Sequence, residues 1–226
     1  HLTDVLVVGT GVAGHRAALA AAAQGARVIQ LAKSGLEDSN TGYAQGGVAA
    51  VLDESAGDSA ARHAADTMAV GQGLCDPDVV TRVTAAGGAA VRELMALGAA
   101  FDVDHGDPDL GREGGHSAPR SLHARGDATG AEIRDALAAA VCAEEGIETW
   151  DHAFVVDLLT DDAGTCRGAL VRSRRRLRAI WAGAVVLATG GSAQIFREST
   201  NVAGATGDGI AAAWRAGARI ADLEFV

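Results

Sequence analysis

A glycine-rich turn near the start of the chain separates a short apolar run from an alanine-rich segment. Residues 5–8 read Val-Leu-Val-Val, which is typical of a strand buried on both faces of a parallel sheet. The turn Gly9-Thr10-Gly11-Val12-Ala13-Gly14 follows, and a helix is predicted over residues 13–23, ended by Gly25. A second strand is predicted over residues 27–32. This order predicts an α/β fold with a parallel central sheet.

The spacing of the three glycines predicts a dinucleotide site. Gly9 permits a tight turn, Gly11 lets the backbone approach a pyrophosphate, and Gly14 lets the helix pack closely on the strand. The helix N-terminus would supply free N–H groups to the phosphates. The six residues from Gly9 to Gly14, including Thr10, Val12 and Ala13, are therefore candidate cofactor residues. The alternative is a glycine turn that holds no ligand.

The second predicted strand lacks the acidic residue that often binds an adenosine ribose at its end. That place holds Ala32, followed by Lys33 and Ser34. We therefore expect the ribose to be held by backbone groups and Ser34, with Lys33 beside it.

Composition excludes several classes of protein. The formal net charge is −10, which argues against a nucleic-acid partner. No apolar run approaches eighteen residues and no signal peptide is visible, so neither a membrane span nor secretion is expected. Cys75, Cys142 and Cys166 are far apart, and we interpret them as reduced thiols of a cytoplasmic protein, with a redox disulfide as the alternative. His116 and His123 lack metal-ligand spacing, so no metal site is predicted.

The rest of the chain mixes helices with short strands. Residues 102–127 are rich in glycine, proline and charge, and loops of that length are usually functional. A small antiparallel meander is predicted over residues 149–181 and a further buried strand over 184–188. Helices are predicted over 59–71, 76–97, 130–143 and 209–217. An antiparallel insertion followed by a strand ending Ala188-Thr189-Gly190-Gly191 resembles an FAD-binding fold more than a plain NAD-binding domain.

Residues 39–47, Ser-Asn-Thr-Gly-Tyr-Ala-Gln-Gly-Gly, resemble the flavin-facing loop of the succinate dehydrogenase and fumarate reductase flavoprotein family. Dehydrogenase members of that family attach the flavin to a histidine at the position that Asn40 occupies here. The resemblance therefore implies noncovalent FAD. It also implies flavin neighbours at Asn40, Thr41, Gly42, Tyr43, Ala44, Gln45, Gly46 and Gly47, although Tyr43 could simply anchor the loop.

Three further motifs occur in the order that the same family shows. They are residues 127–130, Asp-Ala-Thr-Gly, residues 188–191, and residues 206–209, Thr-Gly-Asp-Gly. The resemblance implies that Asp208 lies beside the FAD, and we expect it to cap the helix that follows. It also implies that the strand with Val155 and Val156 contacts the adenine and that Ala188, Thr189 and Gly190 line the cofactor.

Residues 110–117, Leu-Gly-Arg-Glu-Gly-Gly-His-Ser, resemble one branch of the family, the L-aspartate oxidases. Succinate and fumarate enzymes usually have Phe-Gly-Gly there. A carboxylate at Glu113 could pair with the ammonium group that distinguishes aspartate from succinate. The resemblance also places His116 near an anionic substrate, whereas a structural or solvated role is expected for His123. The alternative for Glu113 is a solvated loop charge.

The resemblance implies FAD-dependent oxidation of L-aspartate to iminoaspartate, with hydride passing from the α-carbon to flavin N5. Oxygen or fumarate would be the acceptor, the product would feed quinolinate and NAD biosynthesis, and quinolinate synthase is a candidate partner. Residues 1–226 would form the N-terminal part of an FAD-binding domain, with residues 33–130 as flavin and substrate loops and helices, and without the capping domain of the family. The alternatives are a soluble fumarate reductase or succinate dehydrogenase-like flavoprotein, and a noncatalytic FAD-binding fragment.

Overall fold

A computed structural model describes residues 1–54 and 57–225. The chain divides into two compact units, which we call the sheet unit (residues 1–43 and 137–226) and the inserted unit (residues 44–136). In chain order the elements are β1 (Leu2–Val8), α1 (Val12–Ala22), β2 (Val28–Leu31), α2 (Asn40–Tyr43), β3 (Val48–Ala49), α3 (Ala60–Val70), α4 (Pro77–Ala96), β4 (Val103–Asp104), β5 (Asp107–Pro108), β6 (Leu110–Gly111), β7 (Ser121–Leu122), α5 (Thr129–Ala143), β8 (Ile147–Trp150), β9 (Ala153–Thr160), β10 (Cys166–Ser173), β11 (Arg176–Leu187) and α6 (Asp208–Arg215).

The sheet unit is built on six strands in the order β8-β2-β1-β11-β10-β9. The first four strands of that order run parallel, and β11, β10 and β9 pair antiparallel. Parallel strands are usually covered on both faces, and β1 follows that rule. Leu6 and Val8 join one apolar cluster, while Val7 packs with Ala18 of α1 on the other face. The α/β class and the buried first strand are therefore confirmed.

The end of the predicted meander and the strand predicted separately over residues 184–188 form one continuous strand, which corrects the division into two. The last meander strand, β11, is twelve residues long. Its first half pairs with β10, and its second half pairs with β1, with Leu187 opposite Val8. The strand continues through Gly183 to Leu187, and a Cβ at Gly183 would come within 3.0 Å of the Asp4 carbonyl oxygen of β1. Glycine in a strand often marks such a close backbone approach.

The strand predicted to open the meander lies elsewhere. Residues 147–150 form β8, which is the parallel edge strand beside β2. The meander consists of β9, β10 and β11, and its first strand begins at Ala153. Short edge strands of this kind carry little pattern of their own, so their neighbours in the sheet cannot be read from sequence.

The inserted unit contains α3, α4 and two small sheets. Ser59 caps α3 by accepting a hydrogen bond from the Arg62 amide, and Asp76 caps α4, with Pro77 at the first helical position. Both predicted helix starts are therefore confirmed. The strands β6 and β7 pair antiparallel and bracket residues 112–120. We call this segment the bracketed loop.

The start of α6 differs from the prediction. Gly207, in the left-handed region at φ 75°, is the N-cap, and Asp208 is the first helical residue without a side-chain cap. The Asp208 carboxylate contacts Lys33 and Thr206 instead. Within residues 1–54 and 57–225, no helix is long and apolar enough to cross a membrane.

Candidate functional site

A cavity of about 590 Å³ lies in the sheet unit at the carboxyl ends of its central strands. Ligands of open α/β sheets bind at this edge, and the volume is typical of a small-molecule site. Both predicted glycine motifs meet there. Of the predicted cofactor residues, those lining the cavity are Gly9, Thr10, Gly11, Val12, Ala13, Lys33, Ser34, Asn40, Thr41, Val155, Ala188, Thr189, Gly190 and Asp208.

The three glycines of the first turn are required for different reasons. A Cβ at Gly9, where φ is +120°, would stand 2.1 Å from the Ala188 carbonyl oxygen. A Cβ at Gly14 would stand 2.1 Å from the Gly9 carbonyl oxygen. Packing of the protein's own backbone therefore demands both glycines. At Gly11 the nearest atom is Thr41 Oγ1 at 3.3 Å, a tight contact that a shift of a few tenths of an ångström in that side chain would relieve.

Polar groups converge on the cavity around Gly11. Gly11 is the N-cap of α1 and has no capping side chain of its own, while the Val12 amide donates to Thr41 Oγ1 at 3.0 Å. Ser39 lines the cavity and is buried, and its Oγ has no hydrogen-bond partner among the described residues. Buried hydroxyls normally have a partner. A helix N-terminus and an orphaned hydroxyl at one cavity fit a phosphate-bearing ligand such as FAD.

Lys33, which follows the place where related folds often have an acid, is paired at the cavity edge. Lys33 Nζ contacts the carboxylate of Asp208 and donates to the Gly204 carbonyl oxygen at 3.1 Å. Burial alone would raise the pKa of Asp208, but the hydrogen bonds from Lys33 and Thr206 lower it below its usual value. Asp208 is therefore a carboxylate, and its charge is neutralised by Lys33.

Other predicted cofactor residues are placed differently. The Val156 carbonyl oxygen accepts a hydrogen bond from Arg215 Nη2 at 3.0 Å, and Val156 is outside the cavity lining, in contrast to Val155. Gly14, Gly42 and Tyr43 also lie outside the lining, and the Tyr43 side chain is exposed. The Asn40 side chain lines the cavity and accepts a hydrogen bond from the Val202 amide at 3.0 Å.

A buried polar pair under the glycine turn was missed by sequence reasoning. Gln30 Nε2 donates to the Gly9 carbonyl oxygen at 3.0 Å, and Gln30 Oε1 lies 3.3 Å from His15 Nδ1. Burial lowers the pKa of His15, and the contact with Gln30 offsets this only in part. The sequence did contain a signal for this pair. Gln30 lies within the apolar strand β2, and a buried side-chain amide needs a hydrogen-bond partner.

In the inserted unit, two predicted motifs meet. Ala44 accepts a hydrogen bond from the Gly130 amide at 3.0 Å, and Gln45 Nε2 lies 3.4 Å from Asp127 Oδ2. The family motif at residues 127–130 therefore supports the loop that continues through Gly46 and Gly47. Both motifs were found in the sequence, but their contact was not.

Glu113 lies in the bracketed loop beside a histidine for which only a structural role was expected. Glu113 Oε1 is 3.2 Å from His123 Nε2, and the Glu113 side chain is 56% exposed. The His123 ring fills a slot between two glycines, because a Cβ at Gly47 or at Gly111 would come within 2.8 Å of it. The ring is thus held in place while the carboxylate stays open to a ligand.

His116, the second predicted substrate residue, faces a different neighbour. Its ring packs edge-on against His63 of α3, with ring centroids 5.6 Å apart. Nδ1 of each ring is buried without a hydrogen-bond partner among the described residues. Burial, followed by the positive charge of Arg120 and the neighbouring His116, lowers the pKa of His63. His123, rather than His116, is the histidine that contacts Glu113.

The comparisons with known proteins agree with this arrangement. Residues 4–226 match the family model described as an FAD binding domain. The chain belongs to this family of FAD-binding flavoproteins. Its cofactor is FAD, and the family includes the flavoproteins of succinate dehydrogenase and fumarate reductase.

Curated relatives resemble the chain along almost all of its length. L-aspartate oxidases of Streptomyces coelicolor, Mycobacterium tuberculosis (strain H37Rv) and Arabidopsis thaliana (chloroplastic) are 49%, 45% and 44% identical to it. Each match covers 99% of this chain but only 39%, 42% and 35% of the relative, respectively. The chain thus spans about two-fifths of the length of the curated relatives that it matches.

Solved structures give the same fold. The chain is similar to the quinol fumarate reductase flavoprotein of E. coli, with a TM-score of 0.90 at 34% identity, over 95% of this chain and 37% of that one. It is also similar to the Sdh1 complex of Mycobacterium smegmatis, with a TM-score of 0.91 at 34% identity, over 96% of this chain and 39% of that one.

Proposed function

We propose that this chain is the FAD-binding part of an enzyme that oxidises L-aspartate to iminoaspartate. Glu113 carries the proposal, because it offers an open carboxylate in a loop otherwise shaped by glycines. The curated relatives named L-aspartate oxidase are 42–49% identical to the chain, whereas the fumarate reductase and Sdh1 structures are 34% identical. That difference favours aspartate over the alternative substrates, succinate and fumarate.

In this proposal the sheet unit holds noncovalent FAD. The backbone at Gly11 and the start of α1 face the pyrophosphate, and the orphaned Ser39 hydroxyl gains a partner. Lys33 and Ser34 lie where an adenosine ribose binds in related folds. Asn40 has no nucleophilic group for a covalent flavin link, and its side-chain oxygen is already bonded to the Val202 amide.

FAD, when bound, supplies the chemistry by accepting hydride from the α-carbon of the substrate. The chain's own residues bind and orient that substrate. The Glu113 carboxylate would accept hydrogen bonds from the α-ammonium group, and His123 keeps the carboxylate in place. The same carboxylate repels a dicarboxylate that lacks the ammonium group, which gives selectivity against succinate.

Wider features of the proposal rest on the same relatives. Oxygen or fumarate would reoxidise the flavin, and the iminoaspartate would pass to quinolinate synthase in NAD biosynthesis. We propose a cytoplasmic location, for which Cys75, Cys142 and Cys166 as free thiols are the supporting observation.

Replacement of Glu113 by glutamine in the complete gene product tests the substrate. Loss of one partner of a desolvated charge pair costs about 2–5 kcal/mol, so kcat/KM for L-aspartate should fall roughly thirtyfold or more. Binding of succinate should be unchanged or stronger. Glu145→Gln, at an exposed carboxylate after α5, is the matched control. It should change neither kcat/KM for L-aspartate nor the binding of succinate. Equal losses for aspartate and succinate would contradict the proposal.

A noncatalytic role for the isolated chain is the second candidate, because the chain covers only part of each relative. Anaerobic addition of L-aspartate separates the two possibilities. Bleaching of the flavin absorbance in the complete gene product, but not in residues 1–226, would assign catalysis to the longer protein. Bleaching in neither would reject the aspartate assignment.

A further inference from the structure

We propose that α3 is a clamp that positions the bracketed loop, acting through Arg62 and Asp66 on Ser117. The inference rests on the proposed function, since the loop carries Glu113. Arg62 and Asp66 are then positioning residues, which set substrate selectivity without touching the substrate.

Arg62 holds Ser117 from one side. Its Nε donates to Ser117 Oγ at 2.7 Å, and its Nη2 donates to the Ser117 carbonyl oxygen at 2.9 Å. The remaining nitrogen, Nη1, donates to the Gly57 carbonyl oxygen at 2.8 Å, just before the start of α3. All three guanidinium nitrogens are thus bonded, and the planar fork fixes the direction of the side chain.

Asp66 holds the same residue from the other side. Its Oδ2 accepts hydrogen bonds from the Ser117 amide at 2.9 Å and from Ser117 Oγ at 2.8 Å. The Ser117 hydroxyl therefore donates to Asp66 while it accepts from Arg62. Arg62 and Asp66 are one helical turn apart, which places them on one face of α3.

A buried arginine fixes Asp66 in turn. Arg120 is fully buried, and its Nη1 lies 2.6 Å from Asp66 Oδ2. Its Nε and Nη2 each lie 2.7 Å from an oxygen of Asp58. The Ser117 amide and Arg120 hold the pKa of Asp66 well below its usual value, so Asp66 remains a carboxylate. Loss of one partner from a charge-assisted network of this kind is costly, because it leaves a buried polar group unpaired.

Arg112 closes the loop on itself by donating from Nε to the His116 carbonyl oxygen at 2.8 Å, and the clamp ties this closed loop to α3. Glu113 is followed by Gly114 and Gly115, and Gly115 has φ +85°. Glycines leave the backbone free, so the position of the Glu113 carboxylate depends both on its contact with His123 and on where the loop is tied down. After Glu113, Ser117 is hydrogen-bonded to two side chains of α3, and His116 packs on His63, which lies between the two clamp residues in the sequence.

The clamp makes a prediction about affinity. If loosening the loop leaves Glu113 correctly placed only a fraction of the time, the apparent affinity falls by that fraction. In the complete gene product, Arg62→Met should raise KM for L-aspartate about tenfold, with a smaller change in kcat and no change in FAD content. Arg62→Lys should recover part of the loss. Arg82→Met, which removes an exposed arginine of α4, is the matched control and should behave as the unaltered protein.

Three measurements separate the clamp from general destabilisation. Hydrogen exchange in residues 112–118 should increase in Arg62→Met but not in Arg82→Met, because the Ser117 amide loses its fixed acceptor. Succinate binding should be spared in Arg62→Met, as in Glu113→Gln. The double variant Arg62→Met with Glu113→Gln should lose little more than Glu113→Gln alone, since both changes act on one interaction. Asp66→Asn loosens the same contacts from the other side but also leaves Arg120 partly unpaired, so exchange in residues 112–118 is compared with exchange in the rest of the inserted unit.

The outcomes distinguish the clamp from the proposed function. Unchanged exchange in the loop for both Arg62→Met and Asp66→Asn, or independent additive losses in the double variant, would overturn the clamp even if Glu113 reads the ammonium group. If hydrogen exchange in the loop increases in Arg62→Met but Glu113→Gln loses aspartate and succinate equally, the aspartate assignment would be overturned. The clamp would then stand as an anchor of the loop.

Discussion

Replacing Gly11 with alanine separates the needs of the ligand from those of the protein fold. The Gly11 backbone has φ −78° and ψ −177°, which any residue can adopt. A Cβ there meets only Thr41 Oγ1 at 3.3 Å and Ser39 Cβ at 3.9 Å. The loss of a favourable N-cap residue costs about 1 kcal/mol. Alanine also lowers the conformational entropy of the unfolded chain, which stabilises the folded state by about 0.4–1 kcal/mol. The two effects oppose each other, so the free energy of unfolding should change by less than about 1 kcal/mol.

FAD affinity should change far more. The new methyl group occupies space where the pyrophosphate approaches the backbone. Loss of two charge-assisted hydrogen bonds, at about 1.5–3 kcal/mol each, would raise Kd on the order of a hundredfold or more. Gly14→Ala is the contrasting variant, because its Cβ would stand 2.1 Å from the Gly9 carbonyl oxygen. Overpacking of that kind costs about 1–3 kcal/mol or more, so Gly14→Ala should lower Tm.

The assay combines FAD titration of the apoprotein, followed by flavin fluorescence, with thermal unfolding followed by circular dichroism. Gly11→Ala should unfold near the temperature of the unaltered protein but bind FAD weakly. Stoichiometric FAD in Gly11→Ala, with an unchanged Kd, would refute the reasoning and leave the motif as a structural turn. A Tm loss as large as that of Gly14→Ala would show that the protein itself requires Gly11.

Two further predictions concern the sheet unit. Because the family resemblance puts Asn40 in the position of the histidine used for covalent attachment, acid precipitation should release all flavin into the supernatant, and a yellow pellet would contradict this. Burial lowers the pKa of His15 in the folded state, so between that value and about 6.5 the unfolded chain binds more protons, and stability falls as the pH is lowered through this window. When the pH is lowered from about 7.5 to about 5, the Tm of His15→Leu should fall less than the Tm of the unaltered protein. Parallel curves of Tm against pH would show that His15 does not cause the loss of stability.

The sequence predicted the parts of the fold that depend on local patterns. The apolar run of β1, the glycine turn and the starts of α3 and α4 each follow from a few adjacent residues. Sheet neighbours depend on distant residues, so the single strand β11 was interpreted as two. Gly183 lies between the two predicted segments, and its close approach to β1 accounts for a glycine inside a continuous strand.

The candidate functional residues divide in the same way. In the sheet unit, glycine spacing reports backbone geometry directly, and most of the predicted cofactor residues line one cavity. The pairing of Glu113 with His123 could not be predicted, because it depends on the pairing of β6 with β7 and on space left by Gly47 and Gly111. Such space is visible only once the backbones are placed.

The charged residues of the inserted unit illustrate why long-range networks escape sequence reasoning. Arg120 follows three other basic or imidazole residues in a polar loop, and by composition it would be placed at the surface. It is instead fully buried, because Asp58 and Asp66 together supply three short hydrogen bonds to its guanidinium group. Removal of either carboxylate would leave a buried charge partly unpaired, which is far more costly than loss of a surface ion pair. Selection for the position of one exposed carboxylate, Glu113, would therefore extend to buried residues that never meet the substrate.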